Sequence, residues 1–361
     1  MLVETEIKLR ITPELAERIT AHPLVSERLR GGWSRLELFN QYYDTEDLAL
    51  DRAALALRLR RDGDQVIQTL KGRGDSVAGL SVRNEWDWYL QREALALDLL
   101  RASELPRVMQ ELELDRLQPL FRTDFTRTKA ILCWQYQGEE VEIELAVDRG
   151  EVIARDRHAP LSELELELRC GPQQALLDFA LSLAETLPLQ PWDSAKAERG
   201  YRLIDPSRIP RLSPLSGWSL NQPARQLMLA VAERLTARAV CWSERLYLDD
   251  GLAIQGLLHT LEQLSALIGL QSSLELFSPI LREVTANLIH RLESVNNEDS
   301  RTWHAVLESD PHWGWLILSL AQAQLQPVQQ SDAGHSWLDG TQPCNPSEAT
   351  LIETIREGAH D

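Results

Sequence analysis

Carboxylates spaced two residues apart occur near both ends of the first half of the chain. Glu4 and Glu6 stand at the start, and Glu165 and Glu167 stand in a run that alternates Glu with Leu. Successive side chains of a β-strand point to opposite faces, so each pair shares one face of a strand. Two such carboxylates can bind one hard cation, and oxygen-only ligands favour Mg²⁺ or Mn²⁺ over zinc. Glu144, in another alternating segment, is a further candidate ligand.

Basic residues alternate with apolar ones in the same half of the chain. Arginine grips phosphate oxygens through paired N–H groups, and lysine contacts them as a compact point charge. Only four lysines occur, and all belong to this candidate set: Lys8, Arg58, Arg60, Lys71, Arg83, Arg127, Lys129 and Lys196. Basic residues beside a divalent cation commonly stabilise a transferred phosphoryl group. No GxxxxGK[ST], GxGxxG or GxSxG motif is present, so the sequence indicates a phosphate site of another kind.

The elements that must position these residues are short alternating segments. They are Val3–Arg10, Leu55–Arg60, Val66–Lys71, Val82–Leu90, Phe125–Ile131, Glu140–Asp148 and Glu163–Arg169. Any one of them fits an antiparallel sheet with a solvated charged face. The whole set favours a closed barrel with an ionic interior, because about eight strands leave room for one small ligand. Helices predicted at Pro13–Arg30, Ala94–Glu113 and Pro172–Leu187 would cover the apolar outer face.

Seven further motifs follow the opening Glu4-x-Glu6-x-Lys8 in a fixed order. They are ALRLRR, TLKGR, RNEWDW, DFTRTK, VEIELAVDRGEV, SELELEL and SAKAERGY. This series resembles the CYTH superfamily, the triphosphate tunnel metalloenzymes, over about residues 1–205. Within that superfamily the chain is most similar to bacterial inorganic triphosphatases that carry a helical CHAD domain after the CYTH domain. The resemblance implies an α+β fold, in which helices flank an eight-stranded antiparallel barrel tunnel and an all-α bundle follows.

The resemblance also implies a role for each matched residue. The metal, Mg²⁺ or Mn²⁺, would be held by Glu4, Glu6, Glu144, Glu165 and Glu167. The triphosphate would be bound by Lys8, Arg58, Arg60, Lys71, Arg83, Arg127, Lys129 and Lys196, with Glu85 holding basic residues in place. The catalytic set would comprise Glu4, Glu6, Lys8, Glu165 and Glu167. The implied reaction is metal-dependent hydrolysis of inorganic triphosphate to pyrophosphate and phosphate.

Two acidic residues on the polar faces are interpreted differently. Asp148 precedes Arg149-Gly150 and is equally a turn residue or a ligand. Glu163 is placed at the rim of the barrel. The same superfamily also hosts adenylate cyclases and thiamine-triphosphatases, so both activities remain alternatives. A non-catalytic polyphosphate-binding module is a third alternative, although anion binding alone would not need five converging carboxylates.

A proline-rich segment divides the chain into residues 1–205, a linker at 206–222, and a helical part at 223–361. The helical part has no lysine, eight arginines and eighteen acidic residues, a net charge of −10. CHAD domains are typically basic and linked to polyphosphate, so we predict a degenerate CHAD-like bundle that does not bind polyphosphate. It would support the tunnel or mediate formation of a homodimer.

Composition excludes several function classes. The net charge of −18 opposes broad binding to nucleic acid or anionic membranes. No apolar run reaches the roughly 18 residues of a membrane span, and the start lacks the pattern of a secretory signal. The cysteines at 133, 170, 241 and 344 form no CxxC motif. We therefore expect reduced thiols in a cytoplasmic protein.

Overall fold

The computed structural model describes residues 2–72, 74–102, 104–270, 276–295, 299–325 and 346–358. The chain divides into two compact units. The first comprises Met1–Ser76, Leu80–Gln173 and Ser194–Ile209, and the second comprises Val77–Gly79, Gln174–Asp193 and Pro210–Asp361. All of the alternating charged segments belong to the first unit.

The first unit is built on a closed antiparallel barrel. The strands of the described chain are β1 (Leu2–Arg10), β2 (Leu29–Asp44), β3 (Ala56–Asp62), β4 (Gln65–Lys71), β5 (Asp75–Val77), β6 (Leu80–Leu90), β7 (Gln118–Tyr136), β8 (Glu139–Ala154), β9 (Arg157–Cys170) and β10 (Gln190–Pro191), and the residues of β10 belong to the second unit. Eight of them form a ring in the order β1–β9–β8–β7–β2–β3–β4–β6, and β6 pairs with β1 to close it. This arrangement confirms the predicted eight-stranded barrel.

Short helices and 3₁₀ turns connect the strands of the first unit, and one further helix, α6, follows the last strand of the chain. They are α1 (Leu15–Thr20), α2 (Pro23–Ser26), α3 (Ala49–Arg52), α4 (Arg107–Glu111) and α6 (Lys196–Ile204), with 3₁₀ turns at Leu99–Arg101 and Leu114–Arg116. The single helices predicted at Pro13–Arg30 and Ala94–Glu113 are wrong as continuous elements. Proline explains both breaks, because it lacks an N–H and cannot continue a helix. Pro23 starts α2 and Pro106 precedes α4.

The apolar face of the strands points outward into a hydrophobic core. Leu57 of β3, Leu70 of β4 and Trp86 of β6 pack with Leu100 and Met109 from the segment that contains the 3₁₀ turns. Side chains alternate between the two faces of a strand, so the charged residues between these apolar ones point to the inside of the ring. Because the apolar residues are covered on the outside, the charged residues that alternate with them line the interior of the barrel.

Strand β8 continues through the Arg149-Gly150 pair, where the sequence allowed a turn. A Cβ at Gly150 would lie 2.1 Å from the carbonyl oxygen of Asp124 and 2.5 Å from Cα of Phe125. Glycine therefore permits a close approach of β8 to β7 rather than a reversal of the chain. Asp148 is consequently a mid-strand residue, and the interpretation of it as a turn residue is wrong.

The second unit is helical in the described residues. It contains α5 (Gln173–Ala184), α7 (Ala224–Leu246), α8 (Ala253–Leu270), α9 (Ile280–Ser294), α10 (Ser300–Ser309), α11 (Pro311–Leu325) and α12 (Pro346–Glu357). Helix α7 begins directly after Pro223 and buries Leu227, Val231 and Leu235, which follow each other at four-residue spacing on one face. This confirms the predicted helical region after the barrel. None of the described helices is long and apolar enough to cross a membrane.

Candidate functional site

Carboxylates cover the interior of three neighbouring strands. In the register of the sheet, Glu167 of β9 lies between Glu6 of β1 and Glu144 of β8. Glu163 of β9 lies opposite Asp148 of β8. Opposite residues of an antiparallel pair share one face. We call this surface the acidic wall and define it as Glu4, Glu6, Glu144, Asp148, Glu163, Glu165 and Glu167.

Three members of the acidic wall converge closely. Ligand atoms of Asp148, Glu163 and Glu165 all lie within 4.8 Å of one another. Only Glu165 belongs to the predicted metal ligands, while the other four predicted ligands lie on the same wall. Glu163 is 1% exposed, so its placement at the rim is wrong. It occupies the first position of the alternating charged series that continues with Glu165 and Glu167, a signal that the sequence already contained.

Two cations hold this carboxylate cluster. Arg127 donates two hydrogen bonds of 2.7 Å to the two oxygens of Asp148 and also contacts Glu165. Nζ of Lys196, on α6, lies 2.8 Å from an oxygen of Asp148 and 2.8 Å from one of Glu165, and it also contacts Glu163. Burial opposes ionisation of Glu165, but Lys196, Arg127 and Lys8 outweigh it and hold its pKa well below the ordinary value.

A second group of ion pairs surrounds Glu4. Its oxygens accept hydrogen bonds of 2.9 and 3.0 Å from Lys71 and one of 2.8 Å from Arg83. Arg83 also contacts Glu6, and Lys71 lies 3.2 Å from Glu85. Burial raises the pKa of Glu4, but Lys71 and Arg83 together hold it well below its ordinary value. The predicted supporting residue Glu85 thus contacts a predicted phosphate-binding lysine.

Glu144 and Glu167 share one guanidinium group, that of Arg169. Lys129 donates a 3.1 Å hydrogen bond to Glu144, and Arg169 lies 3.0 Å from Glu144 and 2.7 Å from Glu167. Burial, together with the charges of Glu4 and Glu144, raises the pKa of Glu167 to about 7 despite Arg169. Sequence reasoning missed Arg169, although it follows Glu163, Glu165 and Glu167 in strict alternation.

The basic wall, which we define as Arg58 and Arg60, lies on β3. Three strands separate β3 from β9 on either side of the eight-stranded ring, so the two walls face each other. Within the described residues, the only hydrogen bond of the Arg60 side chain runs from Nε to Oδ1 of Asn40 at 2.8 Å. Arg58 lies 3.8 Å from Glu85, and its buried Nε has no hydrogen-bond partner among the described residues. Burial and the charges of Arg58 and Arg127 lower the pKa of Arg60 to about 10.

The interior therefore brings together all of the predicted site residues. Lys8 is 4% exposed and its Nζ lies 3.5 Å from Glu6. The donors of the acidic wall are carboxylate oxygens alone, which suits a hard divalent cation. The opposite wall offers the guanidinium groups of Arg58, which is paired with Glu85 at 3.8 Å, and of Arg60, which has no ion pair within the described residues, and such groups suit a phosphate chain.

The family assignment follows from residues 2–201, which match the model of the CYTH domain. This chain belongs to the CYTH domain family. A protein named inorganic triphosphatase, from Haemophilus influenzae (strain ATCC 51907 / DSM 11121 / KW20 / Rd), is 34% identical over 207 residues. The match covers 56% of this chain and 55% of that protein, so the chain spans about half the length of this curated relative.

Two solved structures are similar over the same half of the chain. HpAC1 from Hippeastrum, described as having a dominant triphosphatase activity, is 21% identical with a TM-score of 0.41, covering 56% of this CYTH chain and 98% of its own. A Bacillus halodurans protein named for adenylate cyclase is 18% identical with a TM-score of 0.34, covering 55% and 98% respectively. Both TM-scores are below 0.5, so the fold assignment rests on the strand order and the family match.

Proposed function

We propose that the barrel binds and hydrolyses inorganic triphosphate with the help of a divalent cation. The observation that carries the proposal is the pair of opposed walls. Arg58 and Arg60 are like charges on one strand. Within the described residues Arg58 lies 3.8 Å from Glu85, and Arg60 has no close carboxylate partner. Burying such charges is unfavourable unless an anion accompanies them. A linear polyphosphate supplies negative charge along its whole length.

The substrate would lie between the walls. Arg58 and Arg60 bind oxygens of the phosphate chain through paired N–H groups, as guanidinium geometry favours. Lys8, Lys71, Arg83, Arg127, Lys129 and Lys196 complete the set of cations that contact the chain. Glu85 orients two of them, since it lies 3.2 Å from Lys71 and 3.8 Å from Arg58.

The metal, Mg²⁺ or Mn²⁺, would be held by Glu4, Glu6, Glu144, Glu165 and Glu167. A bound divalent cation supplies Lewis acidity toward phosphoryl oxygens and makes water a stronger nucleophile at neutral pH. The donor set fits, because the charges of Glu4 and Glu144 raise the pKa of Glu167 and a cation would relieve that repulsion. Asp148 and Glu163 would then mainly hold Arg127 and Lys196.

The reaction is one hydrolysis step. A water oxygen forms a bond to the terminal phosphorus, and the bond from that phosphorus to the bridging oxygen breaks. Phosphate leaves on one side and pyrophosphate on the other, while the proton of the water passes to a phosphate oxygen or to solvent. The arginines and lysines stabilise the negative charge that develops on the leaving pyrophosphate.

The role of the helical unit belongs to the same proposal. The family match ends at residue 201, so the CHAD-like assignment of residues 223–361 rests on the sequence prediction. The net charge of −10 in residues 222–361 repels polyanions, so we propose a scaffold or a homodimer contact rather than a polyphosphate site. Cys133, Cys170 and Cys241 carry free thiols, which supports a cytoplasmic location.

The test is phosphate release from tripolyphosphate, ATP and thiamine triphosphate in parallel, each with Mg²⁺, with Mn²⁺ and with chelator. We expect release from tripolyphosphate and only with metal. Glu6→Gln removes one charge at nearly constant shape and should abolish most turnover. Glu37→Gln, an exposed residue on β2, is the matched control and should retain it. Faster hydrolysis of an organic triphosphate, or binding without turnover, would contradict the proposal.

A further inference from the structure

Helix α6 carries a candidate phosphate-binding residue at its first position. Lys196 contacts Asp148, Glu163 and Glu165, and these ion pairs attach the start of the helix to the acidic wall. If Lys196 binds substrate, which rests on the proposed function, its ammonium group must exchange carboxylate oxygens for phosphate oxygens. The ion pairs therefore weaken at the moment when the helix must keep its position. Another contact has to hold α6 while Lys196 changes partners.

Tyr201, five residues further along α6, makes such a contact. Its hydroxyl donates a 2.8 Å hydrogen bond to Oδ2 of Asp44, the last residue of β2. Asp44 is fully buried and also accepts backbone N–H groups of Thr45, Leu50 and Asp51 at 2.7, 2.8 and 2.9 Å. Four hydrogen bonds fix the orientation of this carboxylate, so it is a rigid anchor on the barrel.

The packing around Tyr201 brings the helix close to the barrel. A Cβ at Gly200 would lie 2.1 Å from ring carbons of Phe121, so only glycine allows α6 to approach β7 this closely. The Phe121 ring stacks on Tyr42 at 4.7 Å between centroids and meets the Tyr201 ring edge-on at 5.0 Å. None of these three rings belongs to the proposed phosphate-binding set. Tyr42 does lie opposite Arg58 in the register of β2 against β3.

We propose that the Tyr201–Asp44 hydrogen bond positions Lys196 for substrate binding. Tyr201 is a positioning residue, because it acts through the helix and not on the substrate. The other polar ties of α6 to the barrel are weaker candidates. Arg199 lies 3.2 Å from Glu163, which is itself part of the wall that Lys196 contacts, and it also donates a hydrogen bond to the carbonyl oxygen of Pro160 on β9 in an exposed setting. Arg157 donates a 2.9 Å hydrogen bond to the carbonyl oxygen of Leu203, in an exposed setting.

The first experiment is a double-mutant cycle on tripolyphosphate hydrolysis. Tyr201→Phe removes only the hydroxyl, and Lys196→Met removes the charge that it positions. We expect Tyr201→Phe to lower kcat/KM about five- to tenfold, as expected for one buried hydrogen bond. In the Lys196→Met background the same change should have no further effect. An equal loss in both backgrounds, or no loss in the first, would overturn the proposal.

Tyr247→Phe is the matched control for a merely structural loss. Tyr247 lies in the helical unit, and its hydroxyl bonds Gln190 at 2.7 Å and Glu308 at 3.1 Å. This variant should lose stability without losing kcat/KM. If it lowers kcat/KM as much as Tyr201→Phe does, the effect reports general destabilisation and the positioning role is wrong.

A second measurement does not depend on turnover. Acetic anhydride labelling followed by mass spectrometry reports the reactivity of each lysine in the ligand-free protein. Lys196 should react severalfold faster in Tyr201→Phe than in the wild type, while Lys129 on β7 serves as the internal reference and should not change. Equal Lys196 reactivity in both proteins would overturn the positioning role. A wild type that labels as expected but releases no phosphate would instead contradict the proposed function alone.

Discussion

The acidic wall and the basic wall of the barrel differ in how their charges are balanced. On the acidic wall, Arg127 and Lys196 hold three carboxylates, and Lys71 and Arg83 hold Glu4. On the basic wall, Arg60 has only the neutral side chain of Asn40 as a hydrogen-bond partner within the described part of the chain. The carboxylates of the acidic wall are thus paired by the protein itself, whereas Arg60 of the basic wall has no carboxylate partner within the described residues.

This difference separates residues that serve the fold from residues that serve the ligand. A buried ion pair that loses one partner leaves an uncompensated charge, so the protein is destabilised. A half-buried cation without a carboxylate partner, as Arg60 is, already carries part of that penalty in the free protein. Removing it should therefore weaken ligand binding without weakening the fold. The comparison predicts opposite consequences for arginines that lie in the same interior.

Metal removal should have the largest effect, because it leaves the acidic wall without the cation that the proposal requires. Chelation by EDTA should reduce tripolyphosphate turnover about a thousandfold, in line with the several kcal/mol that a metal contributes to a phosphoryl-transfer transition state. The measurement is phosphate release before and after re-addition of Mg²⁺ or Mn²⁺. Full turnover in metal-free buffer would remove the functional distinction between the walls.

Replacement of Arg127 should be the most destabilising change. Arg127→Met leaves Asp148 and Glu165 buried beside one cation fewer, so the free energy of unfolding should fall by about 3 kcal/mol. Urea denaturation at neutral pH measures it. Arg35→Met, at an exposed position of β2, is the control and should change stability by less than about 0.5 kcal/mol. Equal stability of the two variants would show that the ion pairs of the acidic wall do not support the fold.

Replacement of Arg60 should show the opposite pattern. Arg60→Met should lower kcat/KM for tripolyphosphate about a hundredfold, because a charge-assisted contact to phosphate is lost. The free protein should be as stable as the wild type or more stable, since the burial of a cation is relieved. Arg61→Met changes the adjacent outward-facing residue, which lies over the Phe39 ring, and should retain kcat/KM. A fall in stability like that of Arg127→Met would contradict the comparison.

The smallest effect concerns pH and Glu167. Its folded pKa of about 7 exceeds the ordinary 4.5, so the folded state binds the proton more tightly than the unfolded chain does. The stability from this group is present below pH 4.5 and is lost as pH rises through 7. Between pH 6 and 7 the metal-free protein should lose about 1 kcal/mol through it. Glu167→Gln should remove that part of the slope in urea denaturation, and an unchanged slope would refute the assignment.

The facing of the charges could be predicted from the sequence because side-chain alternation along a strand is local. Alternation in SELELEL places Glu163, Glu165 and Glu167 on one face whatever the neighbouring strands are. The order of the motifs, together with the family resemblance, then indicated a closed ring. The structure confirms this assignment of faces on β3 and β4, because Leu57 and Leu70 are fully buried in the core outside the ring.

The grouping of the carboxylates could not be predicted, because it depends on the stagger between strands that are distant in sequence. Asp148 meets Glu163 only through the register of β8 against β9, and both meet Lys196 only through the placement of α6. The prediction that Asp148 is a turn residue was wrong because the dipeptide Arg149-Gly150 is compatible both with a turn and with a close contact between strands. Alternation alone does predict that Arg169 shares a strand face with Glu167, because both belong to the same alternating series.

Closure of the ring by β1 has a consequence for folding of the nascent chain during translation. Strand β1 ends at Arg10, but β9, one of the two strands that flank it in the ring, begins only at Arg157. At ordinary translation speeds, roughly 10 to 30 seconds pass between the synthesis of the two strands. During that interval one edge of β1 has no native partner, and an unpaired strand edge readily joins other chains. The first strand of the barrel, which carries Glu4, Glu6 and Lys8, is therefore among the last to be completed on both sides.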